Sequence, residues 1–283
     1  MVKFVPDIKT QRWIIIAPSR QDRPDDAKKP EDKGKCPFCE GNEYMTPPEI
    51  YRIGEDVANS PGWKIRVIPN LFPITDIHEV IIHSPVHDKD LADFTHEQVS
   101  LLITVYRERF KLHMNDGQVI IFSNHGHQAG ASLVHPHSQL VVIPRQINLD
   151  ALVREPIINV VEDNHFFVTY CPDFSQWPYE VWVAPKKEGT NFADITNEEI
   201  MDFASILKKT IQKLEVCYRN NQLLKTNDSG PFAFNFYIHH AKNWFIRIIP
   251  RLVHRAGFEL GTGLSVNVVD PALAASELRQ TSV

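Results

Sequence analysis

Two histidines flank a proline at His135-Pro136-His137, behind Gly130-Ala131-Ser132 and ahead of an apolar run. Residues two apart on an extended strand share a face, so both imidazoles emerge together unless Pro136 bends the chain. An imidazole is largely neutral near pH 7 and attacks phosphorus; the phosphoramidate it leaves can be cleaved by a second acceptor, which divides one difficult transfer into two easier ones. Such chemistry needs hydrogen-bond donors for phosphoryl oxygens. Ser132, Gln139, Asn124 and the backbone amides of Gly126 and Gly130 lie close in sequence and could serve. The competing reading of 122–132 is a plain glycine-rich hairpin. Imidazoles also bind metals. Cys36 and Cys39, two residues apart, offer half of a tetrahedral metal site, the alternative being a redox pair or two incidental thiols. Histidines are the natural remainder, yet the chain has thirteen and spacing alone selects none of them. Cys171 and Cys217 stand apart and read as buried, inert thiols.

The elements that must position these groups show an internal repeat. "HEVIIHSPVH" (78–87) matches "YEVWVAPKKE" (179–188), and "ADFTHEQ" (92–98) matches "ADITNEE" (193–199), with Glu79 to Glu180 and Thr95 to Thr196 both 101 residues apart. Each threonine opens an expected capping box, with Gln98 and Glu199 respectively. Helices are expected to follow, burying Val99, Leu102, Ile103, Tyr106 and Phe110 in the first and Ile200, Phe203, Leu207, Ile211 and Leu214 in the second. β-rich runs at 119–124, 139–144, 232–238 and 244–250 follow the helices, and both halves close on Ile-Pro-Arg, at 143–145 and 249–251, an offset of 106. The extra five residues fit the polar stretch 220–231. Short connections favour antiparallel pairing. The expected fold is therefore α+β, two tandem units that each pack an antiparallel sheet with a long helix, divided into 1–150 and 151–283. At the offset of 106, His137-Ser138-Gln139 falls on Asn243-Trp244-Phe245 and His135 on Ala241, so two equal catalytic sites are not expected.

Bulk properties narrow the partners. The 283 residues carry a net charge of −5 with Lys and Arg spread along the chain, which argues against nucleic acid and leaves small anions open. No run of about 18 apolar residues occurs and the N-terminal residues lack a secretory stretch, so a cytoplasmic protein without a membrane segment is expected.

Taken in order, "RWIIIAPSRQDRP" (12–24), "CPFCEG" (36–41), "RVIPNLFP" (66–73), "HEVIIHSPVH" (78–87), "SNHGHQAGASLVHPHSQ" (123–139), "WPYEVWVAPK" (177–186) and "IIPRLVHRAGFELGTGLSVN" (248–267) resemble the galactose-1-phosphate uridylyltransferase family of the histidine-triad superfamily. The resemblance implies two histidine-triad-like units, the first catalytic and zinc-bearing, the second degenerate. It implies that His137 attacks the α-phosphorus of a nucleotide sugar, expels a sugar 1-phosphate, and passes the nucleotidyl group to a different sugar 1-phosphate. It further implies one structural zinc on Cys36, Cys39, His87 and His135. Ser132 and Gln139 match positions that bind the transferred phosphoryl group, and Asn124 matches a phosphate contact. Arg20 and Arg23 match arginines near the nucleotide phosphates, where a planar cation pairs with two oxygens. Asn70 and Phe72 match the segment meeting the nucleoside, and Gly257–Gly263, with Glu259, matches a sugar-contacting segment. A homodimer in which a loop of one chain completes the other's site is also implied.

Two departures stand out. Many relatives carry a second metal site, built partly from a His-x-His pair where this chain has Asn243-Trp244-Phe245, with Arg247 where an acidic residue often stands; that site is expected to be absent. Ser138 occupies a position that is glycine in uridylyltransferases and serine in relatives acting on ADP-glucose. The expected activity is UMP exchange between UDP-glucose and galactose 1-phosphate. The alternatives are an ADP-glucose phosphorylase-like adenylyltransferase with the same nucleophile, and a nucleotide-sugar-binding module without catalysis. The nucleobase, the sugar 1-phosphate and the roles of His125 and His127 stay open at this level.

Overall fold

Side-chain alternation along ten strands sorts the chain into an open face and a helix-covered face of one sheet. The computed structural model describes residues 2–9, 12–22, 36–149, 152–220 and 230–283. A hairpin of β1 (Lys3–Asp7) and β2 (Arg12–Ile16) stands apart from the main sheet. The first half supplies β3 (Tyr51–Gly54), β4 (Trp63–Pro69), β5 (His78–Ile82), helix α1 (His96–His113), β6 (Gln118–His125) and β7 (His137–Ile143). The second supplies β8 (Val160–Asp163), β9 (Phe167–Tyr170), β10 (Val181–Pro185), helix α2 (Asn197–Asn220), β11 (Phe234–Ile238) and β12 (Ile246–Pro250), then the short α3 (Gly257–Thr262) and α4 (Pro271–Gln280).

The strand order is β3-β4-β5-β7-β6-β11-β12-β10-β9-β8, antiparallel throughout. Each half repeats the same internal order, and the two halves join through β6 and β11, with Asn124 opposite Asn235. The expected α+β architecture with a helix per half is present, but the halves share one continuous sheet. The expected division at 150/151 falls outside the described residues, as does most of the expected extra loop.

Both helices start as their sequences dictate. Thr196 and Glu199 form the full reciprocal box, with Glu199 N–H donating to Thr196 Oγ1 (3.2 Å) and Thr196 N–H donating to the Glu199 carboxylate (2.7 Å). At α1 only half of it forms: Gln98 N–H donates to Thr95 Oγ1 (3.2 Å), while the Gln98 amide donates instead to the carbonyls of Lys64 and His83. All ten apolar positions expected to line the helices are buried, against Val119, Ile121 and Leu140 in the first half and Val181, Val183 and Ile246 in the second.

The two repeat offsets behave differently. At the offset of 106 the face is kept: Trp244, just before β12, joins the helix-side core beside Phe203 and Phe192, while Phe245 stacks on Trp182 (4.0 Å) on the open side, as Gln139 lies on the open side of β7. At the offset of 101 the face is not kept, because the sequence match is out of step with the strand register by an odd number of residues, which turns a side chain to the other face. Glu79 accordingly meets Arg109 of α1, whereas Glu180 lies on the open face with Trp182 and Arg247. Arg247 is buried, donating from Nε and Nη2 to the two oxygens of Glu180 at 2.7 and 2.8 Å. No helix among the described residues is long and apolar enough to cross a membrane.

Breaking a buried, doubly hydrogen-bonded ion pair strands a charge in the interior and costs about 3–5 kcal/mol. Arg247→Met is therefore expected to lower the unfolding free energy in urea by about that amount. A loss below about 1 kcal/mol would show that the pair is solvated rather than buried.

Candidate active site and metal centre

Cys36 and Cys39 lie in a tight turn held by its own side chains. Cys39 N–H donates to the Cys36 carbonyl (3.2 Å), and the Asn42 amide donates to the same oxygen (2.9 Å). Gly41, at φ +90°, makes the bend that only glycine accepts readily, and its N–H donates to Glu43, whose carboxylate also accepts from Trp63 Nε1 (2.7 Å). Burial alone would raise the Glu43 pKa, yet hydrogen bonds from Trp63 and the backbone, with the Arg66 charge nearby, hold it below the usual range.

The fold brings two of the thirteen histidines to this turn. His87 follows β5 and His135 precedes β7, and one donor atom from each of Cys36, Cys39, His87 and His135 lies within 4.8 Å of the others. Cys39 Sγ is 3.2 Å from His87 Nδ1 and 3.6 Å from His135 Nδ1, and Cys36 Sγ is 3.7 Å from His135 Nδ1. A tetrahedral ion with metal–sulfur and metal–nitrogen bonds of about 2.3 and 2.05 Å spaces such donors about 3.6 Å apart. His135 Nε2–H donates to the Ser84 carbonyl (2.7 Å), which leaves Nδ1 as the ligating nitrogen. Burial pushes the His135 pKa down to about 4, against the Ser84 bond and with help from His87 and His137, so the ring stays in its neutral, metal-binding form. These residues can hold a metal ion, and two thiols with two imidazoles form a closed set.

His137 opens β7 two residues on. Its Nδ1–H donates to the carbonyl of His135 (2.8 Å), so Nε2 is the basic nitrogen. Phe38, between the two cysteines, packs edge-on against His137 (5.3 Å) and His135 (6.1 Å), so the metal turn also braces the second imidazole. His137 borders a cavity of about 310 Å³ whose walls include Phe38, Ile68, Phe72, Ser132 and Gln139. A neutral imidazole with one nitrogen locked and the other basic, beside an apolar chamber with polar groups at one end, is suited to attack on an electrophilic phosphorus.

Most of the other expected residues converge here. Asn70 lines the cavity, and its Nδ2 donates to Gln139 Oε1 (3.3 Å). Arg20 donates from Nη1 to the Phe72 carbonyl (3.1 Å). Asn124 borders a small void beside His137 on the neighbouring strand, and Gly130, at φ +80°, closes the turn between them. Arg23 lies outside the described residues. Glu259 is not brought to this cavity: it caps α3, accepting from Ala256 N–H (3.0 Å), and faces a groove shared with Arg12 and Trp13.

Three contributors were not assigned to the site from sequence, although Tyr106 was expected on the buried face of the first helix. Asn235, on the second half's β11, donates to Asn124 Oδ1 and to the Ala129 carbonyl (both 2.8 Å), tying the turn at 126–130 across the seam. His83 and Tyr106 meet Ser138 on the helix side: His83 Nε2 is 2.6 Å from Ser138 Oγ, and the Tyr106 hydroxyl bonds the same oxygen. Ser138 thus points away from the cavity and does not touch what the cavity holds. Asn235 lies in a strand run read from the sequence and His83 directly after β5, but only the register shows which way they face.

A basic imidazole on an antiparallel sheet, braced by a Cys2His2 cluster and joined to a second half of the same strand order, defines a nucleotidyltransferase of the histidine-triad superfamily. Residues 75–142 match the family model for the galactose-1-phosphate uridyl transferase N-terminal domain. ADP-glucose phosphorylase of Arabidopsis thaliana is 28% identical, covering 98% of this chain and 92% of that protein. Galactose-1-phosphate uridylyltransferase of Thermotoga maritima is 26% identical over 97% and 96%. The crystal structure of the Arabidopsis ADP-glucose phosphorylase with bound ADP-glucose superposes with a TM-score of 0.75 at 26% identity, covering 100% of both chains. Over nearly its whole length the chain is thus similar to members of the galactose-1-phosphate uridylyltransferase family.

Burial holds His239 down to about 4, with His240 beside it adding to the effect, and burial holds His83 well below its ordinary value, with His137, His135 and His125 adding to it. Their unfolded values lie near 6.5, so between about 6.5 and 4 the unfolded chain binds more protons and stability falls as pH falls. The urea midpoint should drop from pH 7 to pH 5, and His239→Asn should drop by less than the parent. Equal losses would contradict this assignment for His239.

Proposed function

We propose that the protein transfers a nucleoside monophosphate between a nucleotide sugar and a phosphate acceptor through a covalent intermediate on His137. The observation that carries the reading is the hydrogen bond from His137 Nδ1–H to the His135 carbonyl, which leaves Nε2 as the nucleophile at the edge of the 310 Å³ cavity. Nε2 attacks the α-phosphorus, the bond to the bridging oxygen breaks, and a sugar 1-phosphate leaves with that oxygen. An acceptor phosphate oxygen then attacks the same phosphorus, and the P–N bond breaks, returning the electron pair to Nε2.

Each neighbour has a part that its position suits. Gln139, Ser132 and Asn124 donate to the phosphoryl oxygens, where charge grows in the transition state, while the Gly130 amide is used within its own turn, donating to the His127 carbonyl (2.9 Å). Arg20 pairs with the diphosphate, Arg23 is assigned the same part from the family resemblance alone, and Asn70 and Phe72 hold the nucleoside against the apolar wall. Cys36, Cys39, His87 and His135 hold a structural zinc, which with four protein ligands has no position open to substrate and contributes rigidity and folding energy. Glu259 lies apart from its own chain's cavity, on a segment whose Phe258 and Leu260 are exposed, which supports a homodimer in which this segment completes the sugar end of the other chain's site.

For the transferred group, the reading taken from sequence is UMP, moving between UDP-glucose and galactose 1-phosphate, and the family model and the Thermotoga relative support it. A second reading, AMP moving from ADP-glucose to inorganic phosphate, is supported by likeness along nearly the whole chain to an ADP-glucose phosphorylase. Ser138 does not arbitrate by touching the base, since it faces the helices.

Intact mass after incubation with UDP-glucose or ADP-glucose should show a UMP or an AMP adduct, lost in His137→Gly. An adduct that persists in that variant, or no adduct with either donor, would sink the reading. Elemental analysis should find about one zinc per chain, and chelation should lower the melting temperature. Zinc-free protein of unchanged stability would remove the structural role assigned to the four ligands.

A further inference from the structure

Gln139 carries a carboxamide whose two ends do opposite things beside an anion. Its NH2 donates to a phosphoryl oxygen, whereas its carbonyl repels one, and rotation about the last side-chain bond exchanges them. We propose that His78 is a positioning residue that sets this rotation, so that Gln139 presents its N–H donors to the transferred phosphoryl group. The inference rests on the nucleotidyl-transfer reading above.

β5 and β7 pair with Val80 opposite Gln139 and His78 opposite Val141, so His78 and Gln139 are diagonal neighbours on the open face. The tautomer of His78 follows from its backbone contact. Ile74 N–H donates to His78 Nδ1 (3.1 Å), so Nδ1 is an acceptor and the neutral ring carries its proton on Nε2. That N–H donates to Gln139 Oε1 at 2.9 Å. Asn70 adds a second donor to the same oxygen, and its own orientation is fixed because Phe72 N–H donates to Asn70 Oδ1 (2.7 Å). The two donors converge on one oxygen, which is why Asn70 Nδ2 and His78 Nε2 lie 3.1 Å apart. The loop itself is clamped to the strand, Asn70 N–H donating to the His78 carbonyl (2.8 Å). With Oε1 held by two side-chain donors that are themselves fixed by backbone contacts, the Nε2 end of Gln139 is the end left for a ligand in the cavity it shares with His137.

The test compares two variants and a double-mutant cycle. Asparagine at 78 can still accept from Ile74 but is too short to reach Gln139, while glutamine carries a donor to the reach of the imidazole Nε2. His78→Asn should lower kcat for nucleotidyl exchange about tenfold with KM little changed, a fraction of what loss of a whole oxyanion donor costs. His78→Gln should recover to within about threefold of the parent. In a Gln139→Ala background, His78→Asn should have no further effect, because the group it orients is gone. A merely structural role would lower the rate by the same factor in both backgrounds, and that result, or an unchanged kcat in His78→Asn, would overturn the proposal. Nitrogen-15 NMR of the parent protein provides a readout independent of turnover and of how the variants fold: His78 is expected as the Nε2–H tautomer, and the Nδ1–H tautomer would overturn the proposal by itself. Absence of any nucleotidyl adduct in the parent would count against the nucleotidyl-transfer reading alone, leaving the tautomer to decide the orientation of Gln139.

Discussion

The hydrogen bond between His137 Nδ1–H and the His135 carbonyl is the contact on which the site depends. It is local, two residues long, and would be worth little if residue 135 were mobile. Residue 135 is not mobile: its ring is fully buried, anchored at Nε2 by the Ser84 carbonyl and placed at Nδ1 among two thiols and a second imidazole. Rigidity passes from the ligand cluster through one backbone carbonyl to the nucleophilic ring, and Phe38 reinforces it from the side. A site held this way loses little entropy when substrate arrives, which is how a modest set of hydrogen bonds can favour a transition state.

The sheet extends this logic across the molecule. The first half carries the proposed nucleophile, yet its turn at 126–130 is bonded by Asn235 from the second half, and Gly126 lies so close to the start of β11 that a Cβ there would come within 2.8 Å of Ala233 Cβ. The second half has packing residues at the positions that match the proposed site. Phe245 stands in an aromatic stack with Trp182 and His239, and Arg247 is spent on Glu180. What the second half keeps is the ladder between β6 and β11 that holds Asn124 in place.

Much of this was legible in the residues. The His-Pro-His segment, the cysteine pair, both helix starts and the apolar faces of both helices could be read because each depends on neighbours within a few positions. The family likeness in the order of motifs carried the four residues that the fold brings together as a ligand set. What could not be read depends on register. Glu79 and Glu180 align in sequence but face opposite sides of the sheet, since a slip of an odd number of residues between sequence match and register inverts the face. Ser138 reads as a neighbour of the reacting group and in fact faces Tyr106 and His83. His78 gave no sign of its role because its partners, Ile74, Asn70 and Gln139, meet only after β5 and β7 pair. The partners of Cys36 and Cys39 lie 48 and 99 residues away, a separation at which spacing carries no information.

The central claim is that a phosphorus atom becomes bonded to Nε2 of His137 while Nδ1 keeps its bond to the His135 carbonyl. A crystal structure of the protein trapped after exposure to its nucleotide sugar measures both at once. The account predicts continuous density from Nε2 to a nucleoside monophosphate lying in the cavity between Phe38 and Phe72. Density on Nδ1, on another residue, or an intact nucleotide sugar with the His137 ring turned away from it would contradict the account.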